Sequence, residues 1–316
     1  MNLVLGATGG IGHWTTVRLA ERGEPVRVLV RDPEKFRRSW PEAKGIDVVR
    51  GDALVGSDVR AAARGATTIF HCVNVPYPDW STQALPMLSN TIDAARAARA
   101  KIVFPGNVYV FGHAQKELVA EDHPKGAHSR KGRIRVEMER RLETAWRQEG
   151  IPYTIVRFPD FYGPDVVNEL YRPVFANALR GRAMPWYGKL EIPFEFSFIE
   201  DAAQALVLAG LDPSTSGETY HLPGFEITTP RAWLTKVAQT AGTKAKIRAV
   251  PRGLIMLYGL FNSQAREFLE MQYLRRERLI LDGSKFRAKF GRLVASSYDD
   301  GIRATLDWYR SREAGT

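Results

Sequence analysis

Three hundred and sixteen residues with 44% apolar and 25% charged side chains form a globular chain with room for a large core, not a disordered, collagen-like or coiled-coil one. A single cysteine, Cys72, excludes an intramolecular disulfide framework and a multi-cysteine zinc site. The net charge of +10 favours anionic partners (nucleic acid, acidic lipid, or phosphorylated and carboxylated small molecules) without choosing among them.

In chain order, the first half alternates short β-branched runs with helical spacing. Strands are expected at Leu3-Val4-Leu5, Val26-Arg27-Val28-Leu29-Val30, Ile46-Asp47-Val48-Val49, Thr67 to Val73, Ile102-Val103-Phe104 and Tyr153-Thr154-Ile155-Val156. Ile11, Thr15 and Leu19, and later Leu88, Ile92, Ala95 and Ala98, recur at helical intervals. Strands this apolar between helices predict an α/β protein with a doubly wound parallel sheet, its ligand on the edge where strands end. After Tyr162-Gly163-Pro164 the rhythm changes. Arg172 to Phe196 shows no clear alternation, a strand is expected at Phe194 to Ile199, and Asp201 is read as the N-cap of the next helix. From Thr228 the tail reads as mostly helical. We expect a nucleotide-binding domain over 1–164, with 195–222 returning to it, and a smaller, mostly helical substrate lobe over 165–316.

The most specific motif is Gly6-Ala7-Thr8-Gly9-Gly10-Ile11-Gly12, placed directly after the first strand and opening the first helix. Gly6 permits the turn, Gly9 lets backbone approach a pyrophosphate, and Gly12 allows close helix–strand packing. The helix N-terminus offers its N–H groups and positive dipole end to the phosphates, with Thr8, Gly10 and Ile11 in the cradle. The second strand ends at Leu29-Val30-Arg31-Asp32-Pro33. A guanidinium at Arg31 suits a 2′-phosphate, with Lys35 or Arg37 assisting, and predicts NADP(H) over NAD(H). Asp32 is the counter-signal, because it could address a free ribose hydroxyl. Asp52 either accepts from the adenine amino group or caps a turn. His71 and Cys72 read as core.

Together these residues resemble the short-chain dehydrogenase/reductase superfamily, in its extended or atypical branch of NAD(P)-dependent epimerases and dehydratases. The likeness continues through Asn107-Val108-Tyr109-Val110-Phe111-Gly112, Arg157-Phe158-Pro159-Asp160-Phe161-Tyr162-Gly163-Pro164, Phe198 to Ala203 and Gly301 to Tyr309. It implies a Rossmann domain and a discontinuous substrate lobe, with Pro159 at the cofactor. The usual catalytic signature is absent. Where the family has Ser or Thr, this chain has Asn107; where it has Tyr-x-x-x-Lys, this chain has Lys131 and Arg135.

A carbonyl reduction remains chemically coherent with this set. Asn107 can donate to a carbonyl, and like charge from Arg135 one turn away would favour a neutral, acid/base-competent amine at Lys131. Lys131 reads equally as a contact to the cofactor ribose or a substrate anion, or as part of a solvated basic helix. Among hydroxyls, Tyr109 ranks first as an acid/base group and Tyr77 second. Tyr77, Asp160 and Tyr162 are candidates for the substrate wall.

The resulting expectation is an NADP(H)-dependent oxidoreductase or epimerase/dehydratase-like enzyme for a small carbonyl or hydroxyl compound, with an anionic substrate favoured by the positive field. The alternative is a catalytically silent NADP(H)-binding redox sensor. No metal is expected, and nucleic-acid binding rests on charge alone. No apolar run reaches the roughly 18 residues of a membrane span, and the chain starts on a strand rather than a leader. A cytoplasmic protein without a membrane partner is therefore expected. The run Gly253 to Phe261, within the apolar stretch Gly253 to Gln264, could line a pocket or bury against a second copy in a homodimer.

Overall fold

The computed structural model describes residues 1–40, 45–166, 170–291 and 295–314. The first half alternates as the periodicity predicts: β1 (Asn2–Leu5), α1 (Gly10–Glu21), β2 (Val26–Val30), α2 (Pro33–Ser39), β3 (Asp47–Arg50), α3 (Gly56–Ala62) and β4 (Thr68–His71). Then come α4 (Trp80–Ala98), β5 (Lys101–Asn107), α5 (Arg130–Glu149), β6 (Tyr153–Phe158) and β7 (Phe161–Tyr162). The remainder holds α6 (Arg172–Leu179), β8 (Met184–Trp186), β9 (Ser197–Phe198), α7 (Ile199–Leu211) and β10 (Glu218–His221). The tail holds α8 (Pro230–Ala241), β11 (Ile247–Ala249), α9 (Arg252–Gly259), α10 (Ser263–Met271), α11 (Ser284–Phe290) and α12 (Tyr298–Ala314).

Seven parallel strands form the main sheet in the order β10-β6-β5-β4-β1-β2-β3. Their apolar residues serve two faces by simple alternation. Leu3, Leu5, Ile69, Ile102, Phe104 and Ile155 pack toward α3, α4 and α5, while Val4, Val28, Phe70, Val103, Val156 and Phe158 pack with α7 residues such as Leu206 on the other side. Each fully buried side chain of this size contributes about 1.5–3 kcal/mol, so the alternation fixes the register of every central strand. On the second face α7 comes very near the sheet at Gly210, where a Cβ would lie 2.7 Å from the Phe70 ring. The order reverses between β1 and β4, which opens a crevice at their C-terminal ends.

A third core, largely aromatic, joins Tyr162, Tyr171, Phe175, Trp186, Phe196 and Trp233 to Ile302 and Leu306 of α12. Here the structure differs from expectation. The stretch Arg172 to Phe196 holds α6 and β8, and the expected 194–199 strand is reduced to Ser197–Phe198 and a single antiparallel bridge from Phe194 to Thr228. These elements are stabilised by aromatic packing rather than periodicity. Asp201 does not cap α7, whose N-cap is Phe198. It sits in the first turn and accepts hydrogen bonds from the Ser296 backbone and hydroxyl at 2.7 and 3.1 Å.

Candidate functional site

The glycine loop is shaped by steric necessity. Gly6 has φ +85°, and a Cβ there would lie 2.6 Å from the Cys72 carbonyl oxygen. A Cβ on Gly12 would be driven into the carbonyl oxygen of Gly6. Thr8 and Gly9 are exposed at the mouth. Helix α1 starts without a side-chain cap and without an acidic residue in its first turn. Its leading N–H groups and dipole end are therefore left for an anion, which fits a pyrophosphate. At the exit of β2, Asp32 caps α2 by accepting from the Lys35 N–H at 2.9 Å. That commits its carboxylate locally, while Arg31 is exposed beside it. Arg37 is paired with Glu34. Asp52 accepts from the Leu54 N–H at 2.9 Å, as a turn-capping Asp does. Pro159 is buried at the exit of β6.

The strand ends at β4 and β5 bring two phenols together. Tyr77 and Tyr109 share a hydrogen bond of 2.7 Å. Burial raises the pKa of both, that of Tyr109 well above the ordinary phenol value. Asn107 caps the turn that carries Tyr109: its Oδ1 accepts from the Tyr109 N–H at 3.1 Å, which leaves its NH2 for a ligand. Trp80 packs against both tyrosines. Arg135 stacks over the Trp80 ring at 4.8 Å and the Phe104 ring at 5.2 Å. Its Nη1 reaches the Pro105 carbonyl only at 3.4 Å, and its buried Nε has no hydrogen bond. A small cavity beside it is walled by His71, Asn74, Val75 and Trp80.

Two expectations need correction. Lys131 was read as meeting like charge from Arg135; instead its Nζ is gripped by Glu267 and, at 3.1 Å, by Glu270, both on α10. It also lies 4.9 Å from the Tyr77 ring centroid. With two carboxylates against it, Lys131 anchors α10 to α5. Tyr162 does not wall the site. It is buried among Phe196, Phe198, Trp233 and Tyr298, because the turn after β6 directs it into the aromatic core. Asp160 does lie on the site side. It accepts from Tyr171 and from Arg275, each at 2.7 Å, and its charge reaches both Tyr77 and Tyr109.

His71 and Cys72 are core, as read. Thr91 donates to the Met87 carbonyl, so the His71 Nδ1–H is the donor in its 2.8 Å bond to the Thr91 hydroxyl. Burial, then Arg135, takes His71 down to about 3. Burial pushes the Cys72 thiol up to about 12, which leaves it unreactive. Among the described residues no cluster of three or more His, Cys, Asp or Glu could hold a metal.

A family model described as the NAD dependent epimerase/dehydratase family matches residues 2–222. The chain belongs to that family. This epimerase/dehydratase relative is 21% identical over 328 residues to the UDP-N-acetyl-alpha-D-glucosaminuronate decarboxylase of Bacillus cytotoxicus, covering 98% of each chain. It is 29% identical to a (4-alkanoyl-5-oxo-2,5-dihydrofuran-3-yl)methyl phosphate reductase of Streptomyces griseus, over 77% of this chain and 74% of that one. The match to dTDP-glucose 4,6-dehydratase 1 of Escherichia coli, at 26% identity, spans 54% of this chain and 44% of that enzyme. Among solved structures, the dTDP-glucose 4,6-dehydratase of Streptomyces venezuelae with NAD bound superposes with a TM-score of 0.80 at 20% identity, covering 100% and 98% of the two chains. Family membership makes this an NAD-dependent epimerase/dehydratase-type enzyme. No helix among the described residues is long and apolar enough to cross a membrane.

Sequence reasoning missed the residues that brace this epimerase/dehydratase site. Arg157 donates to the Asn107 carbonyl at 3.1 Å, to Glu139 at 2.6 Å and to His221 Nε2 at 2.7 Å, tying β5, α5 and β10 together behind the tyrosines. An arginine inside an apolar strand was the available signal. Arg275, buried against Tyr171 and Trp186, was hidden in a basic run with nothing to distinguish it.

Proposed function

We propose that this enzyme is an NADP(H)-dependent reductase of a small anionic carbonyl compound, with Tyr109 as proton donor and Tyr77 as its relay. The hydrogen-bonded Tyr77–Tyr109 pair carries the reading. A reaction that begins by oxidising a substrate hydroxyl needs a base, hence a phenolate. Burial holds both phenols in the neutral form, which is the form that donates a proton to a developing alkoxide.

When bound, NADPH would supply the hydride to the carbonyl carbon. This chain's own residues do the rest. The loop from Gly6 to Gly12, with Thr8, Gly9, Gly10 and Ile11, holds the pyrophosphate, and Pro159 closes the crevice. Arg31 reads the 2′-phosphate, a reading supported by the commitment of Asp32 to its cap. Asp52 borders the adenine end. Asn107 donates from its NH2 to the substrate oxygen, Arg135 offers an unsatisfied guanidinium N–H to an anionic group, and Asp160 positions Tyr171 and Arg275 at the substrate wall. The Streptomyces griseus relative, named as the reductase of a phosphorylated furanone, lends the substrate class support. We place the cofactor domain at 1–164 with 195–222, and the substrate lobe in the rest of 165–316. The pairing of β10 with β6 supports that division.

Two panels test the reading: carbonyl compounds bearing a phosphate or carboxylate, and UDP- and dTDP-sugars. We expect stoichiometric NADPH consumption with a member of the first. Conversion of a sugar nucleotide with no net change in the nicotinamide would replace reduction by transient oxidation. Tight NADPH binding without turnover of either panel would favour the sensor.

A further inference from the structure

Beyond Arg252, helix α9 carries apolar side chains on both its inner and its outer face, and an apolar face is stable only when something covers it. Its inner face is covered: Ile255 is buried, and a Cβ on Gly259 would lie 3.2 Å from Leu269 of α10. Its outer face is bare. Leu254, Met256 and Leu257 are more than half exposed, and the turn that follows presents Leu260 at 69% and Phe261 at 86%. The side chains of Tyr258 and Gln264 lie outside the described residues.

The chain segment that carries this ridge is basic, and the nearest acids on α10, Glu267 and Glu270, are committed to Arg130 and Lys131. From residue 227 to 266 the chain holds seven Lys and Arg and no Asp or Glu. Arg231 and Lys236 are paired with Glu191 and Asp299. Lys244, Lys246, Arg248, Arg252 and Arg266 are exposed. They flank the ridge on both sides in sequence, leading into α9 through β11 and away from it along α10.

We infer that this ridge docks the protein on an anionic bilayer surface. Eight residues of helix reach about 12 Å, far short of a hydrocarbon core of about 30 Å, so α9 lies in the interface and does not span. Leu254, Leu257, Leu260 and Phe261 enter the headgroup–acyl boundary, and the flanking cations meet lipid phosphates. The absence of a span, from which no membrane partner was expected, says nothing against such a helix. A second copy of the chain is the weaker occupant. A two-fold contact here would set the same acid-free basic segment against itself. A nucleic acid would satisfy the cations and leave the protruding apolar side chains uncovered.

The experiment is co-sedimentation of the full chain with phosphatidylglycerol/phosphatidylcholine vesicles and with phosphatidylcholine vesicles alone. We expect binding to the anionic vesicles only, weakened by salt. Phe261→Ser with Leu260→Ser should lower partitioning on the order of tenfold or more. Arg248→Gln and Arg252→Gln should each lower it on the order of fivefold. Because these side chains are exposed, the melting temperature should not move, and it is measured for every variant. Wild-type protein that stays in the supernatant with both vesicle types overturns the inference. So does binding indifferent to the substitutions, or a dimer in sedimentation velocity that Phe261→Ser dissolves without any vesicle binding.

Discussion

The glycine loop and the tyrosine pocket sit on one sheet edge, yet they are built differently. At the loop the backbone is the functional group, and only glycine fits at Gly6 and Gly12 because the Cys72 and Gly6 carbonyls occupy the space of a side chain. In the pocket the candidate groups are side chains delivered by separate elements: Tyr77 after β4 and Tyr109 after β5, braced by Lys131 on α5 through its partners on α10. A local motif therefore suffices to find the first. The second exists only once distant segments have packed.

The comparison breaks most directly at Tyr109. Tyr109→Phe should lower turnover on the order of 10²–10⁴-fold while NADPH affinity stays within about twofold. Steady-state kinetics beside calorimetric titration checks both, and an equal loss of affinity would merge the two regions into one. Gly12→Ala probes the other side. Forcing a Cβ against the Gly6 carbonyl should cost about 2 kcal/mol or more in a urea titration and weaken nucleotide binding with it. An unperturbed variant would show that the loop is looser than its geometry implies.

Arg31→Asp sharpens the cofactor reading. Loss of a charge-assisted contact should reduce NADPH affinity on the order of 10–100-fold and leave NADH affinity nearly unchanged. Unaltered preference would move the 2′-phosphate elsewhere.

A pH-dependent effect lies behind the pocket, where His71 and His221 are each depressed to about 3, mainly by burial and further by Arg135 and Arg157 respectively. Between the unfolded value of 6.5 and that level the unfolded chain binds more protons. Stability is therefore complete above about pH 6.5 and falls as pH drops, by up to about 1.4 kcal/mol per pH unit for each histidine. Urea midpoints at pH 7 and pH 5 should differ less in His71→Asn than in the wild-type protein.

Much of the fold was legible. The strands from β1 to β6 and helices α1 and α4 follow from period-two and period-3.6 patterns that burial enforces. The stretch Arg172 to Phe196 was not, because α6 and β8 are held by ring packing around Trp233 and Phe196 rather than by a repeating pattern. In the site, Tyr109 and Tyr77 were nameable from their places after strand ends. The buried Tyr162 shows the limit of that reasoning, since position along the chain does not say which way a side chain turns.

The sequence by itself determined the parallel sheet, the glycine-rich turn after β1 and the guanidinium that follows β2, because each rests on local spacing and backbone sterics. Tertiary structure alone decided which phenols meet, that α10 brings Glu267 and Glu270 to Lys131, and that the outer face of α9 is left uncovered. Those outcomes depend on charge and packing between separate elements, 32 residues apart for Tyr77 and Tyr109 and 139 for Lys131 and Glu270, and no local pattern encodes them.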